Sequence, residues 1–379
     1  MIKVISIGTD RNVFDGKSAV HARLLKQAKL FGELHTVVFT RQTFPFAMRQ
    51  KGNLWLYPTN SLSRWLYVRD ALNLARGLIQ QRNMTATDTV ITAQDPFECG
   101  LVAVLASKQR QLAVQLQVHT DFLNPEFSAL SVLNKIRVFI ARRVLPRARG
   151  IRVVSARVAD SLRASGINIT APIDVLPVFS AQALLWATKP LRRDKKESGH
   201  GCLALLPSRF APEKDISTAL KALERLREAG EEIGLAIAGQ GFEEAKIHDE
   251  IALRGLTDGV RVERWQSDLS PFYRAADAVL LTSLFEGFGL VLLEAAAHGK
   301  SIVTTDVGIA RELVLSPYER FVCAVGDAEC IASRLRELAH DETLRKKYGS
   351  ALRAAAKKLL IPEGEYWQRY KKLLERCLE

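Results

Sequence analysis

Residues 278–299 read AVLLTSLFEGFGLVLLEAAAHG: a short aliphatic strand ending near Leu281, a loop holding Gly287 and Gly289, and a helix starting near Leu290. Strand, glycine loop and helix in that order are one step of a doubly wound α/β sheet, in which ligands sit beyond the carboxyl ends of the strands. Two residues without side chains let the backbone approach a ligand closely. The helix then aims its positive end and unpaired N–H groups at the same place, an arrangement suited to a diphosphate. Glu286 in the loop and Glu294 one turn into the helix, with seven residues between them, would face that crevice as hydroxyl acceptors. A solvated loop carboxylate and a helix-favouring one would leave the same pattern.

Working outward, similar runs recur. Cys202–Leu206, Leu235–Ala238, Val260–Trp265, Ser301–Thr304 and Phe321–Val325 flank the quoted stretch. Ile2–Ile7, Thr36–Phe39, Thr89–Ala93, Leu112–Val118, Ile151–Val154 and Ile173–Leu176 form an earlier series, with room for a helix between successive runs. Two such series predict two Rossmann-like domains with parallel sheets. The expected boundaries are 1–180 for the first domain, 181–200 for a linker centred on the basic, glycine-containing KPLRRDKKESGHG (residues 189–201), and 201–360 for the second. An amphipathic helix at 361–379 carries Trp367, Tyr370, Leu373 and Leu374.

A second constellation follows the Cys202–Leu206 run: Arg209 and Lys214 in SRFAPEKD. Two cations at a strand end can neutralise a leaving diphosphate without a metal, although two ordinary surface cations would leave the same pattern. AGQG (238–241) is a weaker glycine turn at another strand end.

Composition bounds the rest. With 379 residues, 47% apolar and 25% charged, the chain suits two globular domains. No uncharged apolar run approaches the roughly 18 residues of a membrane span, and MIKVISIG reads as a first strand rather than a leader. Five scattered cysteines argue against a disulfide framework and a zinc site and favour the cytoplasm. The net charge of +13 lies wholly in the first half: 24 basic and 11 acidic residues precede residue 181, leaving 30 of each after it. Between Lys135 and Arg157 eight basic residues (Lys135, Arg137, Arg142, Arg143, Arg147, Arg149, Arg152, Arg157) interleave with apolar ones and no acid. In Ser61–Arg82, Arg64, Arg69, Arg76 and Arg82 accompany Trp65 and Tyr67. Basic amphipathic segments suit an anionic membrane surface; ordinary sheet-covering helices with solvated faces would look alike.

RFAPEK, AGQG, DAVLLTS, EGFGLVLLE, TTDVG and RELV, in this order, resemble the C-terminal domain of glycosyltransferase family 4. AQDP near Asp95, VHTD around His119 and RVVSARV extend the resemblance over the first half. It implies the GT-B fold: two Rossmann-like domains facing a central cleft, with the C-terminal helix crossing back to the first. It also implies a retaining, metal-independent hexosyl transfer from a nucleotide-sugar, UDP by default.

By the same resemblance Glu286 contacts the donor sugar, Glu294 the ribose, and Arg209 and Lys214 the diphosphate. The backbone of Phe288, Gly289 and Leu290 binds sugar hydroxyls and phosphate, Gly239 and Trp265 line the donor site, and His119 reaches the transferred sugar. Asp95 and Asp121 lie on the acceptor side. Two departures stand out. The first loop has Asp15-Gly16-Lys17 where the family has a glycine pair, leaving Gly16 to approach phosphate, and PVFS (177–180) stands in place of an Asn-Gly sequence. The expected partners are a nucleotide-sugar donor, a lipid-linked or anionic acceptor, and an anionic membrane surface bound peripherally on its cytoplasmic face. No cofactor, metal or nucleic acid is expected. An epimerase or phosphorylase on the same fold is the competing enzyme, and a nucleic-acid-binding protein the competing class, for which aromatic platforms or a basic recognition helix would be needed.

Overall fold

A computed structural model describes residues 1–188, 201–266 and 268–379. They form two compact units: Met1–Pro177 together with Glu363–Glu379, and Val178–Pro362. Of the stretch read as linker, Ala181–Thr188 is helical and residues 189–200 lie outside the described residues.

The first unit is an eight-stranded sheet of β1 (Lys3–Gly8), β2 (Glu33–Val38), β3 (Arg49–Lys51), β4 (Leu54–Pro58), β5 (Thr89–Ala93), β6 (Ala113–Val118), β7 (Gly150–Val153) and β8 (Ile173–Val175), in the order β3-β4-β2-β1-β5-β6-β7-β8. All neighbours run parallel except β3 and β4, which pair antiparallel across the two-residue turn Gly52-Asn53. That hairpin is absent from the sequence expectation. The helix Glu363–Glu375 joins this unit, with Tyr366, Trp367, Tyr370 and Leu374 buried. Gln27 donates to the Tyr370 hydroxyl at 2.9 Å, and Lys26 pairs with Glu363.

The second unit is wholly parallel: β9 (Cys202–Pro207), β10 (Ile233–Gly239), β11 (Val260–Arg264), β12 (Ala278–Leu281), β13 (Ser301–Thr305) and β14 (Val322–Cys323), in the order β11-β10-β9-β12-β13-β14. Chain order reverses between β9 and β12, so their carboxyl ends form the switch point where such sheets bind ligands. The helix Ile216–Glu228 shows why the layers hold. Ile216, Ala219, Leu220, Leu223 and Leu226 form one buried stripe, and each large aliphatic contributes about 1.5–3 kcal/mol by leaving water.

Two expectations are corrected. The cysteines include one bridge, Cys323–Cys330, because the helix Ala328–His340 folds its first turn back onto the end of β14; Cys99, Cys202 and Cys377 are buried and free. Arg152, one of the eight basic residues in the segment read as suited to a membrane surface, is only 4% exposed. Among the described residues no helix is long and apolar enough to cross a membrane.

Candidate active site

In the second unit the loops after β9 and β12 are tied together. Leu284 N–H donates to the Glu213 carbonyl at 2.9 Å, and the Thr282 hydroxyl donates to the Lys214 carbonyl at 3.0 Å. This sets the Lys214 ammonium 2.5 Å from the Glu286 carboxylate, which also accepts from the Ser283 hydroxyl at 2.9 Å. Both charged side chains are largely buried, at 13% and 15% exposed. Removing either partner would strand the other charge in a poorly solvated place. Arg209 differs: its side chain is 74% exposed and pairs with Glu213, an ion pair worth little to stability and free to turn toward an anion.

Gly289 caps the helix Leu290–Ala297 in the left-handed region, at φ 81°, where a side chain would be strained. The helix therefore begins abruptly, with the N–H groups of its first turn at the same strand ends as Lys214 and Glu286. Phe288 is buried and its carbonyl accepts from Ile309 N–H at 2.9 Å. Gly239 ends β10 so close to the neighbouring strand that a Cβ would lie 1.7 Å from the Ser208 carbonyl oxygen; packing alone demands glycine there. Trp265 stands 48% exposed after the edge strand β11.

Glu294 has partners of its own, in a buried cluster. The Tyr273 hydroxyl, fully buried, donates to its Oε2 at 3.0 Å. Tyr273 stacks on His298 with centroids 4.8 Å apart, and His298 packs against Trp186 at 4.2 Å. Burial raises the Glu294 carboxyl to about 7, against the opposing pull of the Tyr273 hydrogen bond. Burial also holds His298 down to about 4, aided by Lys300 and Arg274, and its buried Nε2 has no hydrogen-bond partner among the described residues.

In the first unit, Gly16 lies open in the loop after β1, where the Asp15 carboxylate accepts from Lys17 N–H at 3.0 Å. Asp95 accepts from the N–H groups of Phe97 (2.8 Å) and Cys99 (3.3 Å), capping the helix Glu98–Ser107. Asp121, 8% exposed, accepts from the Ser161 hydroxyl at 2.8 Å; burial raises the pKa of both acids. His119 follows β6 with an accessible ring whose Nε2 lies 3.1 Å from Gln117 Oε1. Crowding by protein, then the charges of Arg152 and Arg23, holds it well below the usual histidine value, so the ring is neutral at pH 7.

Sequence reasoning missed Tyr273, Glu213, Ser283, Gln117 and Arg152. Glu213 and Ser283 lie inside the quoted motifs. Gln117 and Arg152 are polar residues inside strands that the fold buries on both faces.

A switch point with a buried Lys–Glu pair, a glycine-shaped strand end at Gly239, a glycine helix cap at Gly289 and a helix N-terminus has the chemistry to receive a phosphorylated ligand. Residues 189–355 match the family model "Glycosyl transferases group 1". Over 151 residues the chain is 31% identical to a glycogen synthase of Mycobacterium tuberculosis, a match spanning 39% of this chain and 36% of that protein. Its fold is similar to that of a sucrose-phosphate synthase from Thermosynechococcus elongatus, with a TM-score of 0.75, 18% identity and 98% of each chain covered. It is also similar to Anabaena HepE in complex with UDP and glucose, with a TM-score of 0.71, 18% identity, and 98% and 99% covered. The fold is thus the two-domain GT-B architecture.

Proposed function

We propose that the chain is a retaining glycosyltransferase of family 4 type, moving a hexose from a nucleotide-sugar, UDP by default, to a hydroxyl acceptor. The buried Lys214–Glu286 pair at the switch point carries the reading. Lys214, with Arg209 swinging from Glu213, neutralises the departing diphosphate, and the helix N-terminus at Leu290 adds its dipole. Glu286 accepts from donor-sugar hydroxyls and Glu294 from the ribose, while His119 meets the transferred sugar. With the leaving phosphate oxygen taking the acceptor proton, the protein's part is positioning and charge stabilisation, without a metal. Acceptor-dependent release of nucleotide from a panel of UDP-, GDP- and ADP-hexoses tests this. Release that ignores the acceptor, or interconversion of the sugar without release, would favour a phosphorylase or an epimerase.

The acceptor is lipid-linked or anionic, and the first unit binds a membrane surface peripherally, on the cytoplasmic face. On the helix Val132–Val144, Val132, Ile136 and Phe139 form an outward stripe, 72%, 48% and 58% exposed. Lys135, Arg142, Arg143, Arg147 and Arg149 are exposed around it, none ion-paired among the described residues. The Arg143 guanidinium lies over the Phe139 ring at 4.8 Å. Apolar tips ringed by unneutralised cations complement anionic lipid more than an acidic protein. Sedimentation should require phosphatidylglycerol in the vesicles, weaken with salt and fail when Arg142, Arg143 and Arg147 become Glu; equal binding to pure phosphatidylcholine would exclude it.

A further inference from the structure

The inside of the first sheet carries a polar file where a doubly covered parallel sheet calls for aliphatics. Gln115, Gln117 and His119 alternate along one side of β6 and its extension. Thr92 on β5 pairs with Gln115, and Arg152 on β7 pairs with Gln117, in register. Arg152 is a buried cation whose hydrogen bonds and ring contacts among the described residues are all with neutral groups. Its Nε and Nη2 donate to the Leu176 carbonyl at 3.2 and 3.1 Å, Nη2 also reaches the Pro177 carbonyl and the Tyr366 hydroxyl, and the Tyr366 and Tyr370 rings flank it. Its Nη1 donates to Gln117 Oε1 at 2.9 Å.

That last contact has a logical consequence. An amide can be turned end for end, but a guanidinium has no acceptor to offer. The Gln117 oxygen must therefore face Arg152, and its amide nitrogen faces the Thr92 hydroxyl at 3.0 Å and the Tyr370 hydroxyl at 3.3 Å. The same oxygen lies 3.1 Å from His119 Nε2, so Nε2 must carry the hydrogen. In a neutral ring the lone pair is then on Nδ1.

We infer that Arg152, acting through Gln117, fixes His119 as the Nε2–H tautomer and presents Nδ1 as a hydrogen-bond acceptor to a hydroxyl of the transferred sugar. Arg152 and Gln117 are positioning residues, and the use of the tautomer rests on the transfer reading above. His119 would then accept from a sugar hydroxyl, neither protonating the leaving group nor donating to an oxyanion.

The tautomer can be read without substrate, by long-range proton–nitrogen correlation of ¹⁵N-histidine-labelled protein at pH 7.5, with His119→Ala identifying the signal. The wild type should show a protonated Nε2 and an unprotonated Nδ1. A protonated Nδ1, or an imidazolium, would overturn the inference outright. Arg152→Met and Gln117→Leu should mix the tautomers and lower kcat by about tenfold, the upper range for one neutral hydrogen bond, with nucleotide affinity unchanged. Arg152→Lys, which keeps a donor to Gln117, should restore the wild-type signal; mixed tautomers in it and unmixed ones in Arg152→Met would refute the relay. Full transfer by His119→Ala with the wild-type tautomer intact would instead remove His119 from the reaction and leave its protonation state standing.

Discussion

Glu294→Gln should stabilise the protein at alkaline pH while weakening nucleotide binding. The folded carboxyl titrates at about 7 against 4.5 when unperturbed, so the native state binds its proton more tightly than the unfolded chain does. With the pKa raised, the carboxylate costs nothing well below pH 4.5, and the cost grows as pH rises through the interval and is complete above about 7. At about 1.4 kcal/mol per tenfold change, the full cost is roughly 3 kcal/mol, of which about 2.5 develops between pH 5 and pH 8. Glutamine keeps the shape and an acceptor for the Tyr273 hydroxyl but does not titrate. Any unpaired amide hydrogen it introduces penalises both pH values alike. Thermal unfolding at pH 5 and pH 8 should therefore show the difference in Tm between variant and wild type shifting in the variant's favour by about 5–10 °C at the higher pH. Other groups, His298 among them, titrate alike in both proteins and cancel in the difference. A difference that stays constant between the two pH values would refute a strained carboxylate at this position.

Lys214→Ala should slow transfer at least tenfold through loss of a charge-assisted contact worth about 1.5–3 kcal/mol; near-wild-type turnover would remove it from the diphosphate site. Arg209→Ala should slow transfer similarly but leave Tm within about 1 °C, because its pair with Glu213 is exposed, which a melting curve beside the rate assay would check. Tyr273→Phe deletes the one hydrogen bond that lowers the Glu294 pKa, so the pH at which nucleotide affinity rises should move upward; an unshifted affinity profile would separate Tyr273 from Glu294. Transfer should survive excess chelator, and activity lost to chelator and recovered with manganese would refute a metal-independent reaction.

The second unit was the more legible half because its site is built by backbone. Strand runs at 202–206, 235–238, 278–281 and 301–304 fall within β9, β10, β12 and β13, and glycines mark the places where no side chain fits, such as Gly239 beside Ser208. The motif residues Lys214 and Glu286 lie in the loops that follow the two strands flanking the reversal of chain order, so the strand order brings them together. What stayed hidden depended on how separate elements pack against each other. The Tyr273 partner of Glu294 and the Cys323–Cys330 bridge have no local signature. The β3–β4 hairpin did have one, the Gly52-Asn53 pair before LWLYP, and was overlooked because the exposed, charged Arg49–Lys51 shows no apolar alternation.

Charge in the first half shows how the same residue type can carry opposite information. Eight basic residues between 135 and 157 invited one explanation, yet the fold divides them. Arg137 is held by Glu98 at 3.0 Å, while Arg142, Arg143 and Arg147 stand outside with an apolar stripe. Arg152 is enclosed by carbonyls, an amide and two tyrosine rings. A cation on the rim costs little and can serve a lipid surface. A cation inside has given up its hydration without gaining a carboxylate partner among the described residues, an expense that a leucine in the same strand would have avoided. Such a cost is maintained only where the fixed donor is used, and here the donor holds Gln117, and Gln117 holds the one histidine that the VHTD motif sets at the end of β6. The interruption of the aliphatic pattern of β6 and β7 by Gln115, Gln117 and Arg152 is thus the sequence signal for the site we infer in this half. It lay in the sheet interior rather than in the loops, where ligand contacts are usually sought.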